Sequence, residues 1–281
     1  MAKKQINSGD MNLNGTKYSR RKFLYGSIFS VTTPFVLPSF LTPLMEDQKN
    51  SIANLSDRDK VTDLLKKKDP LKWILTGDSI TAGVKHTQGY RSYPEVFSER
   101  LRWEMKRSRD HIINTGISGN TTRNLLEDFD WRIKQYNPSV VSLMFGTNDC
   151  ADGRNISLQL FKTNLDYLVS GVRALGAIPI LQTPNLIITD KAPERSSLHK
   201  YVEVIKSVAV EQKVILVDNW EYWKQAIAKT SQAKVFKEWL NDPLHPNGGG
   251  HTEIARLMFR ELGIFNANDP TGGGPYYEGE H

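Results

Sequence analysis

Four short motifs hold the residues whose types and spacing suit acyl chemistry: Gly77-Asp78-Ser79, Gly119, Gly146-Thr147-Asn148-Asp149 and Asp242-Pro243-Leu244-His245. Together they contain the parts of a serine esterase, namely a hydroxyl nucleophile, an imidazole base held by a carboxylate, and donors for a developing oxyanion. Singly each has an ordinary alternative. A Gly-Asp-Ser is most often a turn, a Gly-x-Asn-Asp most often a loop with a helix cap, and His245 beside Pro246 could be a structural loop histidine. Their order along the chain, and the apolar run ahead of each of the first three, argue for the chemical reading.

In that order the blocks resemble the SGNH hydrolases of the GDSL esterase family, whose marks are Ser, Gly, Asn and His; the match runs from about Leu71 to Leu262. The resemblance implies Ser79 as nucleophile, His245 as general base and Asp242 as the group that orients the imidazole. It also implies an oxyanion hole made by the backbone N–H groups of Ser79 and Gly119 and the side-chain amide of Asn148. Ile80 stands where the family's eponymous Leu would be, a conservative apolar change. A three-residue separation lets the Asp242 carboxylate reach Nδ1–H of His245 while Nε2 faces Ser79. An Asn amide suits an oxyanion because it is a neutral donor that adds no charge to be solvated.

Other chemistries find less support. His86, His111, His199 and His251 have no comparable motif context, and a metal held by Asp149, Asp152 and a histidine is a weak alternative. Gly116-Ile117-Ser118-Gly119-Asn120 is one glycine short of a G-x-S-x-G elbow, and H-E-x-x-H, G-x-G-x-x-G and P-loop patterns do not occur, so no cofactor or metal is expected. Cys150, the only cysteine, reads as a small semi-buried residue at a strand end rather than a nucleophile.

The elements needed to position these residues follow from hydropathy. Continuous apolar runs at Trp73 to Thr76, Ile112 to Asn114, Val140 to Phe145, Ile178 to Gln182 and Val214 to Val217 predict five buried parallel strands. Helical patterns lie at Tyr93 to Arg107, Thr121 to Gln135, Ser157 to Leu175, Ser196 to Glu211 and Thr252 to Leu262, and Asn50 to Lys68 reads as a linker or surface helix. The alternation predicts an α/β fold, a three-layer α/β/α sandwich of flavodoxin-like type with a central five-stranded parallel sheet. In such sheets the ligand crevice lies beyond the carboxyl ends of the strands, where Ser79, Gly119 and Asn148 follow the first three runs. Tyr90, Arg91 and Asn185 are candidate sugar contacts at that edge.

The expected organisation is an export segment and linker over 1–53, a hydrolase domain over 54–265 and a disordered Gly- and Pro-rich tail over 266–281. Ser19-Arg20-Arg21-Lys22-Phe23-Leu24 precedes an apolar stretch and is similar to a twin-arginine export signal, with Ser51-Ile52-Ala53 the best cleavage candidate. Pro34, Pro38 and Pro43 make that stretch a poor membrane span, although a retained N-terminal anchor stays open. The formal net charge is +6; seven basic residues (Lys3, Lys4, Lys17, Arg20, Arg21, Lys22, Lys49) against three acidic (Asp10, Glu46, Asp47) put +4 of it in residues 1–53. The remainder is too small to suggest a nucleic-acid partner.

The expected activity is hydrolysis of short-chain, chiefly acetyl, esters on exported carbohydrates. A lysophospholipase or thioesterase, an acyltransferase and a non-catalytic glycan-binding module are the alternatives on the same fold. Oligomeric state has no signature in the chain.

Overall fold

Runs of apolar residues without alternation can be buried on both faces only inside a parallel sheet flanked by helices. The computed structural model, which describes residues 56–276, has such a sheet. Its strands are β1 (Lys72–Gly77), β2 (His111–Asn114), β3 (Val140–Met144), β4 (Ile178–Gln182) and β5 (Ile215–Val217), all parallel and ordered β2-β1-β3-β4-β5. This is the expected α/β architecture. Strands β3 and β4 are buried throughout, whereas β2, at an edge, is at most half-buried and not the fully buried strand its apolar run suggested.

Successive side chains of the central strands feed two apolar layers. Ile74, Val141, Leu143 and Leu181 face helices α4 (Thr122–Glu127), α6 (Leu158–Ala174) and α7 (Leu198–Glu211), packing on Leu125, Phe161, Leu165, Leu168 and Ile205. Trp73, Leu75, Met144 and Ile180 face the other way, toward α1 (Asp57–Lys66), α3 (Tyr93–Glu99) and α10 (Gly248–Glu261), which supply Val61, Phe97, Met258 and Phe259, with Leu101 from the turn after α3. At about 1.5–3 kcal/mol for each fully buried large apolar side chain, these two layers are the main stabilising force on the sheet edge that carries the chemistry.

Helix boundaries follow local capping. Ser56 caps α1 through a reciprocal box with Asp59, and Ser157 caps α6 by accepting from the Leu160 N–H. Helix α3 runs into a π turn, Arg100–Glu104, in place of the continuous helix expected to Arg107. The helix expected over Thr121 to Gln135 is broken into α4, α5 (Phe129–Arg132) and a 3₁₀ turn, Lys134–Tyr136. Asp128, between the first two, leaves helical geometry, and the break carries Arg132 inward to the sheet edge. Helix α10 begins four residues before its expected start, because Asn247 caps it by accepting from Gly250 N–H and its first turn is Gly248-Gly249-Gly250. Two further helices, α8 (Asn219–Lys229) and α9 (Gln232–Trp239), fill the span between β5 and the Asp242 loop.

Up to Tyr276 the segment expected to be a disordered tail is ordered. It forms a 3₁₀ turn at Pro270–Gly272 in which Thr271 is buried and donates to Glu104 from N–H (2.9 Å) and Oγ1 (2.6 Å), while Asp269 pairs with Arg100. Polar anchoring takes the place of the missing apolar periodicity. The export-signal reading and its cleavage candidate lie outside the described residues. Among the described residues no helix is long and apolar enough to cross a membrane.

Candidate active site

Strand β1 ends in a turn that only glycine permits at Gly77: a Cβ there would stand 2.2 Å from Thr81 Oγ1 and 2.5 Å from Met144 O. Asp78 follows, buried, and caps the short helix α2 (Ser79–Ala82) by accepting from Ile80 N–H at 2.9 Å. This makes Ser79 the first residue of that helix, half-buried at the carboxyl edge of the sheet. Burial pushes the Asp78 carboxyl up to about 7, with the Ile80 N–H acting against the rise and the nearby Asp149 adding to it.

Asp242 and His245 share one small loop. An isolated antiparallel bridge between Leu240 and Pro246 closes it, with Asn241 N–H donating to His245 O at 2.8 Å. The segment after β4 grips it from outside: Ile188 N–H donates to Pro243 O (2.8 Å) and Asn185 Nδ2 to Leu244 O (3.2 Å). His245 Nδ1 lies 2.9 and 2.8 Å from the two Asp242 carboxylate oxygens, and Nε2 lies 2.9 Å from Ser79 Oγ. Partial burial raises the Asp242 carboxyl, but the N–H groups of Leu244 and His245 and the imidazole outweigh it and hold the pKa below the ordinary value. For His245, burial is the largest influence and lowers its pKa. The Asp242 carboxylate opposes this, His86 and Arg195 reinforce it, and the net result lies below the ordinary histidine value.

The expected oxyanion donors converge on the same edge. Gly119 takes φ +78°, a left-handed conformation that favours glycine, and neither its N–H nor that of Ser79 meets an acceptor among the described residues. The Asn148 amide is fixed from both sides: Nδ2 donates to Asn120 O (3.1 Å) and Asp78 Oδ2 (3.3 Å), while Oδ1 accepts from Arg195 Nη2 (3.3 Å). Asp149 braces the loop. Its Oδ1 accepts from Thr122 N–H (2.8 Å) and Oγ1 (2.6 Å), and its Oδ2 from Gly146 N–H (3.1 Å), which commits both oxygens to structure. Cys150 is buried behind this loop, and burial pushes its thiol up to about 12, consistent with an inert residue.

Several residues without a motif also serve the site. Arg132 is fully buried, and its guanidinium donates to Gly77 O and Thr76 Oγ1 (both 3.0 Å), Thr115 O (2.9 Å) and Asn120 Oδ1 (2.9 Å). It thereby ties the Ser79 turn to the Gly119 loop. Arg195 holds both Thr147 O, through Nε at 3.0 Å, and the Asn148 amide. His86 stacks on His245 with ring centroids 3.4 Å apart and planes 9° from parallel, and its Nδ1 is 3.5 Å from Asp242 Oδ2. His251 is buried in α10, where Nδ1 accepts from Tyr93 N–H at 3.2 Å and burial pulls its pKa down to about 3. His86 and His251 therefore do have a structural context, which comes from neighbours distant in sequence. An arginine in a helical pattern or a histidine in a polar loop gives no sign of this in the sequence.

The candidate sugar contacts divide. Tyr90 is exposed beside Gly248, and Arg91 is occupied by Glu99 and by Tyr276 Oη. Asn185 is buried and supports the His245 loop, so its position corrects its reading as a surface contact. His86, Asp242 and His245 are the described group whose possible metal-ligand atoms lie within 4.8 Å of one another. The lone pair of an imidazole nitrogen lies in its ring plane, and two stacked, parallel planes cannot both contain one ion; this arrangement does not fit a metal without ring rotation.

Comparison with known proteins adds an independent line. The sequence family described as GDSL-like lipase/acylhydrolase matches residues 75–252. The chain is 29% identical to an acetylxylan esterase of Geobacillus stearothermophilus over 162 residues, covering 54% of this chain and 72% of that protein. It is 28% identical to an uncharacterised lipoprotein of Bacillus subtilis (67% of this chain, 86% of the relative) and 25% identical to an arylesterase of Vibrio mimicus (68% and 88%). Among solved structures, Axe2, an acetylxylan esterase from Geobacillus stearothermophilus, superposes with a TM-score of 0.59 at 25% identity, covering 69% of this chain and 94% of Axe2.

Proposed function

The chain belongs to the GDSL-like lipase/acylhydrolase family and is a carboxylic ester hydrolase, and on that premise we propose that it removes short acyl groups, chiefly acetyl, from carbohydrates through an acyl-enzyme on Ser79. The observation that carries the reading is the relay from Ser79 Oγ to His245 Nε2 (2.9 Å) and from His245 Nδ1 to Asp242 (2.8 Å). Ser79 Oγ attacks the ester carbonyl carbon as its proton passes to His245 Nε2. The resulting imidazolium is stabilised and oriented by Asp242. The oxyanion is met by the N–H groups of Ser79 and Gly119 and by Asn148 Nδ2, which turns one N–H from its present acceptors toward the substrate. His245 returns the proton to the departing alcohol. Water, deprotonated by the same base, then releases the acid and restores Ser79.

The acetylxylan esterase relative and Axe2 support acetylated sugars as substrate class, and the sequence offers no long apolar lid to shelter an acyl chain. Replacing Ser79→Ala should abolish turnover of a small chromogenic acetate, by about five to six orders of magnitude in kcat, with the fold intact by circular dichroism. Activity should fall from acetate to octanoate, since a methylene without a pocket forgoes the ~0.8 kcal/mol that burial would give it. An acetylated xylo-oligosaccharide should exceed the simple acetate in kcat/KM, because remote sugar contacts can be used to stabilise the transition state. A rise with chain length would support a lipid esterase instead, and an active Ser79→Ala chain would remove the mechanism.

Export belongs to the same reading, supported by the lipoprotein relative, and the twin-arginine route is supported by Arg20-Arg21 ahead of an apolar stretch alone. Changing both arginines to lysine should leave the protein in the cytoplasm on cell fractionation. Undiminished secretion would refute that route.

A further inference from the structure

His86 lies on the loop between α2 and α3, which nothing in the motif pattern singles out. The loop's backbone is unusual. Lys85 (φ 71°) and Gln88 (φ 53°) take left-handed conformations that cost an ordinary residue about 1 kcal/mol or more, and they bracket His86. Such strain persists where the surroundings dictate the geometry, and here they do. Thr87 is buried and its N–H donates to Gly83 O (3.3 Å), Tyr90 N–H donates to Thr87 O (3.0 Å), and the Gln88 amide bonds to the side chain of Asn241, the neighbour of Asp242. The loop is thus clamped to the one that carries the base. The result is the face-to-face stack of His86 on His245 at 3.4 Å, with Nδ1 of His86 3.5 Å from the carboxylate that orients His245.

Resting on the esterase reading above, we infer that His86 is a positioning residue for the reaction. It holds the ring of the general base in the plane that joins Ser79 to Asp242, and by taking a share of the Asp242 carboxylate it favours the neutral, proton-accepting form of that base. The stack blocks rotation of His245 about its ring axis on one face. Asp242 has two oxygens and two imidazoles to serve, so any charge on His86 competes with the imidazolium for the same carboxylate. The other groups around the pair are His251 on α10 and Arg195 from the turn ahead of α7. Both are positive when charged, so neither reverses the direction of the His86 effect. Removing His86 leaves Asp242 to His245 alone, which favours the imidazolium.

Three variants separate the stack from the contact with Asp242: His86→Ala loses both, His86→Phe keeps a flat ring without that contact, and His86→Asn keeps a polar group without the ring. On a soluble acetate ester, His86→Ala and His86→Asn should lose about tenfold in kcat with little change in KM. That lies below the hundredfold that a 1 Å misplacement can cost. His86→Phe should recover most of kcat. In all three the acid limb of the kcat/KM profile should move to higher pH than in the unaltered protein. If His86→Ala does not fold, the Phe and Asn variants make the same comparison.

Wild-type kcat and an unmoved acid limb in the Ala and Asn variants would overturn the inference. So would a Phe variant as impaired as the others with the limb unmoved, since that pattern marks a loop-packing role. Failure here is distinct from failure of the esterase reading, which an active Ser79→Ala chain alone would bring down.

Discussion

At the scale of single residues, the candidate site depends on groups that aim other groups. Asn148 can donate to an oxyanion only if its nitrogen, and not its oxygen, faces the substrate. The Arg195 guanidinium on Oδ1 and the acceptors Asn120 O and Asp78 on Nδ2 allow a single amide orientation. Asn148→Ala should therefore lower kcat by two to three orders of magnitude, about 2.7–4 kcal/mol, with little effect on KM. Arg195→Met should give a smaller loss of the same kind, about tenfold, because it frees the amide without removing it. Steady-state kinetics on one acetate ester checks both, and an Arg195→Met variant worse than Asn148→Ala would contradict the ordering. The five residues proposed for the site could be picked out because each sits in a short motif whose order is itself informative. Arg132, Arg195 and His86 could not, because what they do is set by residues from 12 to more than 150 positions away.

At the scale of elements, the strands could be read because burial on both faces leaves no polar alternation to confuse the period. The edge strand β2 was overestimated for the same reason, since a short apolar run such as Ile112-Ile113 looks alike at the centre and the margin of a sheet. Helix ends were harder. Gly248-Gly249-Gly250 has poor helix propensity, yet Asn247 starts α10 there, and the break near Asp128 answers to Arg132 reaching beneath β1. The segment after Phe265 shows where composition misleads, because its order rests on buried polar contacts. Ending the chain after Phe265 would strip Arg100 of Asp269 and Glu104 of Thr271, both beside buried side chains. Such a truncation should cost about 2–4 kcal/mol of stability in urea titrations, as loss of a partner to buried charge does, while kcat stays within about twofold. An unchanged midpoint would show that the contacts contribute nothing.

At the scale of the whole molecule, two buried groups act on stability in opposite senses as pH changes. Asp78 has a pKa near 7 in the fold against 3.8 free, so between those values only the folded chain holds the proton. Stability from this group is complete below about pH 4 and is lost as pH rises to 7, by roughly 1.4 kcal/mol per unit at most. His251, near 3 in the fold against 6.5 free, does the reverse: the unfolded chain takes up the proton, so stability falls as pH drops below 6.5. Between about pH 4 and 6.5 the two trends oppose each other. Asp78→Asn removes the first, so its stability relative to the unaltered chain should increase from pH 4 to 7 and level off above; urea midpoints at pH 4.5, 6 and 8 would show it. A difference independent of pH would mean that Asp78 ionises in the fold as it does in the unfolded chain.

The lone thiol offers a different view of the same molecule. Cys150 is the chain's only cysteine, buried two residues beyond Asn148 with Sγ donating to Thr147 O at 3.4 Å. An alkylating reagent can reach it only when that segment opens, since buried and protonated sulfur does not react. The ratio of its labelling rate to that of a free thiol then measures how often the loop carrying the Asn148 amide comes undone. The protein carries one such reporter, and its place in the chain sets it against the backbone that must stay still for catalysis.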